Sequence, residues 1–340
     1  MAPKIAVLGT GANGASIGAD LTRAGHDVTF IEQWPAHVEA MREQGITVRF
    51  LEGETTNTKV NVYHVCQVAE LREQFDIVYV VLKAYDTRWG VELIKPLVKD
   101  DGVVIGLQNG MSMQDILDIM GPKRTLGGVI ELGSNMFTPG EVERHNGYHN
   151  SWFALGAYNE VAHAKAEQAA EILRASGTVE VVDDINSSKW MKLVLNAAEL
   201  VPSAILNLSI FDAAHTEGFY ELMVAAGDEA VQAGIQRGHK IVPIFGLTEV
   251  NPDTFARDIL DLLLNEFSFP STKATVLQDW MKGRRSEVRE INGLVVDALG
   301  TEQAPVNAAC VQMALEIERG EREAGLHNLA ELLERAGFGK

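Results

Sequence analysis

Apolar residues recur along this chain in two rhythms. Over roughly the first 182 positions, short apolar runs alternate with helical stretches. Lys4-Ile5-Ala6-Val7-Leu8 and Val28-Thr29-Phe30-Ile31 read as strands, and residues 15–24 between them place Ile17 and Leu21 on one helical face. Residues 36–44 form a helical pattern ending at Gly45, and residues 46–65 alternate around turn-prone Glu52-Gly53-Glu54. Residues 75–82 are almost continuously apolar, as in a strand buried on both faces of a parallel sheet. A helix over 89–98, strands over 102–107, 126–132, 140–144 and 151–155, a helix over 162–176 and a strand over 179–182 complete this half. From Ile185 onward strand signals nearly vanish and a 3.6-residue period takes over. It predicts helices over 188–206, 217–237, 253–264, 286–299, 304–319 and 326–336.

The junction of the first strand and helix carries the strongest motif. Gly9-Thr10-Gly11-Ala12-Asn13-Gly14 follows a strand and opens a helix, the setting of a dinucleotide-binding fingerprint. Gly9 permits the tight turn, Gly11 lets a pyrophosphate approach bare backbone, and Gly14 lets helix and strand pack closely. Free N–H groups and the helix dipole then face the phosphates. Glu32 closes the second strand, where this fold places a carboxylate on the adenosine ribose. That carboxylate repels a 2′-phosphate, and Gln33-Trp34-Pro35-Ala36 offers no cation to receive one. NAD(H) is therefore expected, with NADP(H) as the alternative. The predicted fold class is α/β: a Rossmann-type dinucleotide-binding domain over residues 1–184, then an all-helical catalytic or substrate domain over residues 185–340.

Polar residues at the ends of apolar runs mark candidate chemistry. Lys83 and Asn109 follow two successive buried strands and share a rim of the sheet. In Lys189-Trp190-Met191-Lys192-Leu193-Val194-Leu195-Asn196, Lys192 and Asn196 share a face of an otherwise apolar helix. On its own, Lys192 reads more readily as a snorkelling surface lysine. A second polar cluster runs from Ser271 through Thr275, Gln278, Asp279 and Glu287 to Asn292, and reads as a loop and helix start, with Glu287 in the first turn. His145 and His149 lie four apart in a Gly- and Asn-containing turn region that reads as a solvated loop, and no metal is expected.

Composition narrows the class of partner. The chain has 340 residues, 22% charged and 46% hydrophobic, with a net charge of −18. Such a charge argues against nucleic acid or an anionic membrane surface as a partner. Cys66 and Cys310 fit no zinc or redox spacing and read as reduced thiols. Met1-Ala2-Pro3-Lys4 leads straight into the first strand, so no signal peptide is expected, and a cytoplasmic location is.

Taken together, these motifs resemble the ketopantoate reductase (2-dehydropantoate 2-reductase) family. The resemblance runs through the glycine loop, Leu82-Lys83-Ala84, Leu107-Gln108-Asn109-Gly110, Lys192-Leu193 with Asn196, Gln278-Asp279, Ser286-Glu287 and Ile291-Asn292-Gly293. It implies NAD(P)H-dependent reduction of a 2-oxo acid, with Lys192 as proton donor. It further implies that Asn109, Asn196 and Thr275 hold substrate, that Lys83 and Asn109 touch the cofactor, and that Glu287 contacts cofactor or substrate.

The chain also departs from the family. Leu200 and Val201 stand where the pattern has a second Asn and a Pro, and Glu32 departs from a common NADPH preference. An apolar residue there favours an aryl or branched 2-oxo acid, worked on as a D-2-hydroxy acid dehydrogenase, over ketopantoate and pantothenate biosynthesis. A non-catalytic dinucleotide sensor is the reading from another class. A homodimer is a further expectation, and the segment beyond about Arg322 is a candidate for its contacts.

Overall fold

The computed structural model describes residues 2–338. It divides into two compact units, Met1–Gln108 with Ser112–Ile185, and Asn109–Met111 with Asn186–Lys340.

Among the described residues the first unit contains twelve strands: β1 Lys4–Leu8, β2 Asp27–Glu32, β3 Ile46–Phe50, β4 Thr55–Thr58, β5 Asn61–His64, β6 Phe75–Val80, β7 Val98–Leu107, β8 Thr125–Glu131, β9 Ser134–Asn135, β10 Glu141–Arg144, β11 Trp152–Ala157 and β12 Thr178–Val181. Its helices are α1 Ala12–Arg23, α2 Pro35–Gln44, α3 Thr87–Ile94, α4 Met113–Met120 and α5 Glu160–Leu173. The main sheet runs β12-β11-β8-β7-β6-β1-β2-β5, and a small sheet runs β4-β3-β10-β9. Every neighbouring pair of the main sheet is parallel except β8 with β11. Strand order reverses at β1, which pairs with β2 on one side and β6 on the other. A doubly wound sheet binds ligands at the carboxyl ends of the strands where this reversal falls.

The apolar runs bury as the period-two and continuous patterns require. Ile5, Val7, Phe30, Ile77, Tyr79 and Ile105 line one face of the sheet, and Ala6, Leu8, Ile31, Val78, Val80 and Val104 the other. Close packing of α1 depends on its glycines. A Cβ at Gly18 would stand 2.5 Å from the Phe30 ring, so glycine lets helix and strand meet.

A buried ion pair fastens α1 to the small sheet. Arg144 and Asp20 are both buried, and Arg144 Nη1 lies 2.5 Å from Asp20 Oδ2. Arg144 also donates to the Asn146 and Ser176 carbonyls and to the Ser16 and Ser151 hydroxyls. With these partners every nitrogen of the guanidinium is engaged, the condition under which a buried charge is tolerated.

The second unit contains α6 Ile185–Ile205, α7 Ile210–Ala214, α8 Phe219–Gln236, α9 Phe255–Leu262, α10 Thr275–Met281, α11 Asn292–Leu299, α12 Pro305–Glu318 and α13 Leu329–Arg335. The segment after Arg322 packs on this same unit: Gly325 N and Asn328 Nδ2 both donate to the Ile205 carbonyl, satisfying the end of α6.

Several sequence expectations change. Short helices α4, α7 and α10 arise where none is predicted. The helix expected over 286–299 begins only at Asn292, because Ile291 (φ −117°, ψ −92°) is not helical. Glu287 therefore sits in the turn before α11 rather than in its first turn. His145 is not in a solvated loop. It is 1% exposed, its Nε2 lies 2.9 Å from Asn135 Nδ2 and 3.0 Å from Glu143 Oε1, and burial pulls its pKa down. His149 is exposed, as expected.

Candidate active site

In the first unit the glycine loop is held from both sides. Gly9 has φ +89°, and a Cβ there would fall 2.8 Å from the Leu82 backbone nitrogen, so only glycine fits the turn. A Cβ at Gly14 would stand 2.1 Å from the Gly9 carbonyl oxygen, so the third glycine permits the contact between loop and helix. Gly11 differs from both: a Cβ there would meet nothing within 4 Å. Its backbone faces open space at the start of α1, where N–H groups point outward.

Thr10 is fully buried and its backbone is fixed by His37. Gly140 N–H donates to His37 Nδ1 at 2.8 Å, which leaves Nε2 to carry the proton and donate to the Thr10 carbonyl at 2.9 Å. The side chain of Asn13 in α1 is held by the Ser134 hydroxyl. Ala12 opens the helix.

Glu32, at the end of β2, is 5% exposed and already oriented. Its Oε1 accepts from the backbone N–H of Gln33 and of Trp34, each at 2.9 Å, and its Oε2 accepts from the Thr10 hydroxyl at 3.2 Å. A carboxylate holds about four acceptor sites, so this one can still accept from a sugar hydroxyl. These residues fit a nicotinamide dinucleotide: uncluttered backbone at Gly11, a helix N-terminus, and a fixed carboxylate beside them.

The polar edge beyond β6 and β7 is ordered by Gln108. Its amide donates to the Leu82 carbonyl at 2.7 Å and the Thr87 hydroxyl at 2.9 Å, and its Oε1 accepts from the Ser112 hydroxyl. Lys83 is half-buried on the segment after β6, and Asn109 is half-buried before Gly110, whose φ is +72°.

In the second unit the remaining residues fall as follows. Lys192 and Asn196 lie one turn apart on α6, buried to 6% and 1% exposure. Lys192 Nζ lies 3.8 Å from Glu199 Oε1 and 5.6 Å from the centre of the Phe245 ring. Neither Asn196 Oδ1 nor Nδ2 has a hydrogen-bond partner among the described residues. Thr275 opens α10, and its buried Oγ1 also lacks one. Glu287 is 4% exposed. A buried amide without partners costs roughly 1–3 kcal/mol, so these groups are candidates for contact with a ligand. Leu200 is buried on α6, one turn beyond Asn196.

Two further charged residues are buried on α6, and the sequence reading did not single them out. Glu199 follows Lys192 by seven positions and so returns to its face of the helix, a signal present in the spacing. Lys189 is 3% exposed, and burial lowers its pKa to about 8. Among the described residues no group of three or more His, Cys, Asp or Glu is placed to hold a metal, and no helix is long and apolar enough to cross a membrane.

Comparison with known proteins decides the family. Residues 5–160 match the ketopantoate reductase PanE/ApbA family, and residues 184–319 match its C-terminal counterpart. The chain belongs to the ketopantoate reductase family. It is thus an oxidoreductase of the class acting on CH–OH groups. A 2-dehydropantoate 2-reductase from Archaeoglobus fulgidus is 29% identical over 324 residues, covering 95% of this chain and 99% of the relative. One from Pyrococcus horikoshii is 27% identical, covering 89% and 94%. Among solved structures, a PanE/ApbA family ketopantoate reductase from Ralstonia eutropha JMP134 has a TM-score of 0.76 at 26% identity, covering 94% of this chain and 99% of that one. A D-mandelate dehydrogenase solved with NADH and anilino(oxo)acetate has a TM-score of 0.81 at 20% identity, covering 93% and 99%, and shares the fold.

Proposed function

We propose that this ketopantoate reductase family member is an NAD(H)-linked reductase of 2-oxo acids with apolar side chains, able to run in reverse as a D-2-hydroxy acid dehydrogenase. The observation that carries this reading is the buried pair on α6: the Lys192 amino group and, one turn on, an Asn196 amide with no hydrogen-bond partner among the described residues.

A dinucleotide held there would supply a hydride for the carbonyl carbon of the substrate. Gly9, Thr10, Gly11, Ala12, Asn13 and Gly14 would hold its phosphates, with Lys83, Asn109 and Glu287 as further contacts. Negative charge then grows on the carbonyl oxygen. Lys192 stabilises that charge and donates a proton to the oxygen. Asn196 orients the same oxygen, and the amide of Asn109 and hydroxyl of Thr275 anchor the rest of the substrate. Glu32 accepts from the ribose hydroxyls and repels a 2′-phosphate, which supports NAD(H) over NADP(H). Leu200 supports an aryl or branched side chain over hydroxylated ketopantoate, because an apolar wall leaves a substrate hydroxyl without a partner.

Oxidation of NADH and NADPH with ketopantoate, 2-oxoisovalerate, phenylglyoxylate and pyruvate tests this directly. The highest kcat/KM is expected with NADH and phenylglyoxylate or 2-oxoisovalerate. A preference for ketopantoate would move the enzyme to pantothenate biosynthesis. No turnover with any substrate would leave a dinucleotide sensor.

A further inference from the structure

We propose that Glu199 is the positioning residue for the proton donor, holding the Lys192 ammonium charged and in place from one helical face of α6. The inference rests on Lys192 being that donor, the reading given above.

Three observations carry it. First, both partners are buried: the side chain of Lys192 is 7% exposed and that of Glu199 is 4%, with Nζ and Oε1 3.8 Å apart. A lone buried carboxylate is strongly disfavoured, so an acid at this position calls for a cation beside it. Second, α6 contains its own comparison. Lys189, as deeply buried on the same helix, has its pKa pulled down to about 8 by desolvation. Lys192 has a carboxylate and the face of the Phe245 ring beside it, and both favour an ammonium over a neutral amine. Third, a 3.8 Å separation is an electrostatic contact rather than a short hydrogen bond, so the attraction does not commit an N–H of the donor.

Three other titratable groups of this unit have contacts of their own. Glu229 of α8 accepts from the Val306 and Asn307 backbone and from the Asn307 amide, while Arg237 and His239 lie against Trp190. During turnover the N–H bond of Lys192 breaks as an O–H bond forms on the product, and the neutral amine takes a proton back from solvent. The Glu199 carboxyl 3.8 Å away favours that recharging.

The test uses Glu199→Gln and Glu199→Asp in the full chain, read by steady-state kinetics, NADH binding and acetic anhydride labelling of Lys192 followed by mass spectrometry. Only the neutral amine is labelled, so this readout needs no turnover. We expect kcat to fall about 10- to 100-fold in Glu199→Gln, with NADH affinity within about twofold of wild type and Lys192 labelling raised severalfold. Glu199→Asp should fall between Glu199→Gln and wild type in both readouts, and serves alone if Glu199→Gln does not fold. Wild-type kcat and labelling in a folded variant would overturn the proposal. So would a loss of kcat accompanied only by lower thermal stability, with labelling unchanged. If the wild type turns over no 2-oxo acid, the reductase reading fails, and labelling still decides whether Glu199 holds Lys192 charged.

Discussion

Asn292 Nδ2 donates to the main-chain carbonyl of Ala197 at 2.9 Å and to Asn307 Oδ1 at 2.8 Å. The first residue of α11 is thereby clamped to α6 next to Asn196, and the clamp continues from Asn307 Nδ2 to the Ala226 carbonyl of α8. The Ile291-Asn292-Gly293 motif is thus a brace for the helix that carries Lys192. Asn292→Ala removes the donor to the buried Asn307 Oδ1 and the tie to the Ala197 carbonyl, at a cost on the order of 1–3 kcal/mol. The expected outcome, read by thermal melting and kinetics, is a lower Tm by several degrees and a lower kcat.

The glycines of the loop should separate binding from folding. Gly11→Ala adds a methyl group into open space at a φ of −63°, so the Tm should hold while NADH affinity drops. Gly14→Ala sets a Cβ 2.1 Å from the Gly9 carbonyl and should lower both. Melting curves with and without NADH decide this. Unchanged affinity in Gly11→Ala would remove the dinucleotide from this loop.

Lys192→Ala should lower kcat by at least about 100-fold while NADH still binds. It also removes the cation beside the buried Glu199 carboxyl, so the Tm should fall as well. Lys192→Met combined with Glu199→Leu should recover the Tm and stay inactive. That result would separate the chemistry of the lysine from its part in stability.

Replacing Glu32 by Gln keeps the acceptor oxygen for the Gln33 and Trp34 N–H groups and removes the charge. The kcat/KM ratio of NADPH to NADH should rise about tenfold, near 1.4 kcal/mol of repulsion relieved. An unchanged ratio would show that the ribose contact lies elsewhere.

Lys189 has a pH signature of its own. Its pKa is lowered from 10.5 to about 8 in the folded chain, so between those values the unfolded chain binds more protons. Stability contributed through this group therefore rises as pH climbs from about 8 towards 10.5. Urea titrations across that window should show the rise in the wild type and a flatter profile in Lys189→Met.

The local pattern by itself determined a great deal. Period-two and continuous apolar runs give way to a 3.6-residue period near Ile185, and the chain folds accordingly into a sheet-based unit and a helical one. Glycine spacing after β1 specified the turn at Gly9 and the close approach at Gly14, because those constraints act within a few residues. Spacing also placed Lys192 and Asn196 one turn apart. Tertiary structure alone decided which polar groups would be buried and what would meet them. Arg144 reaches Asp20 across 124 positions, and His37 reaches Gly140 N across 103. His145 looked solvated until Asn135 and Glu143 closed on it. The short helices α4, α7 and α10 likewise escaped periodicity, being too brief to show it. Torsional preference and amphipathic period are local properties. The cost of burying a charge or an amide depends on partners that only folding brings together, and so the unpaired amide of Asn196 and the Glu199 carboxylate beside Lys192 became visible only in three dimensions.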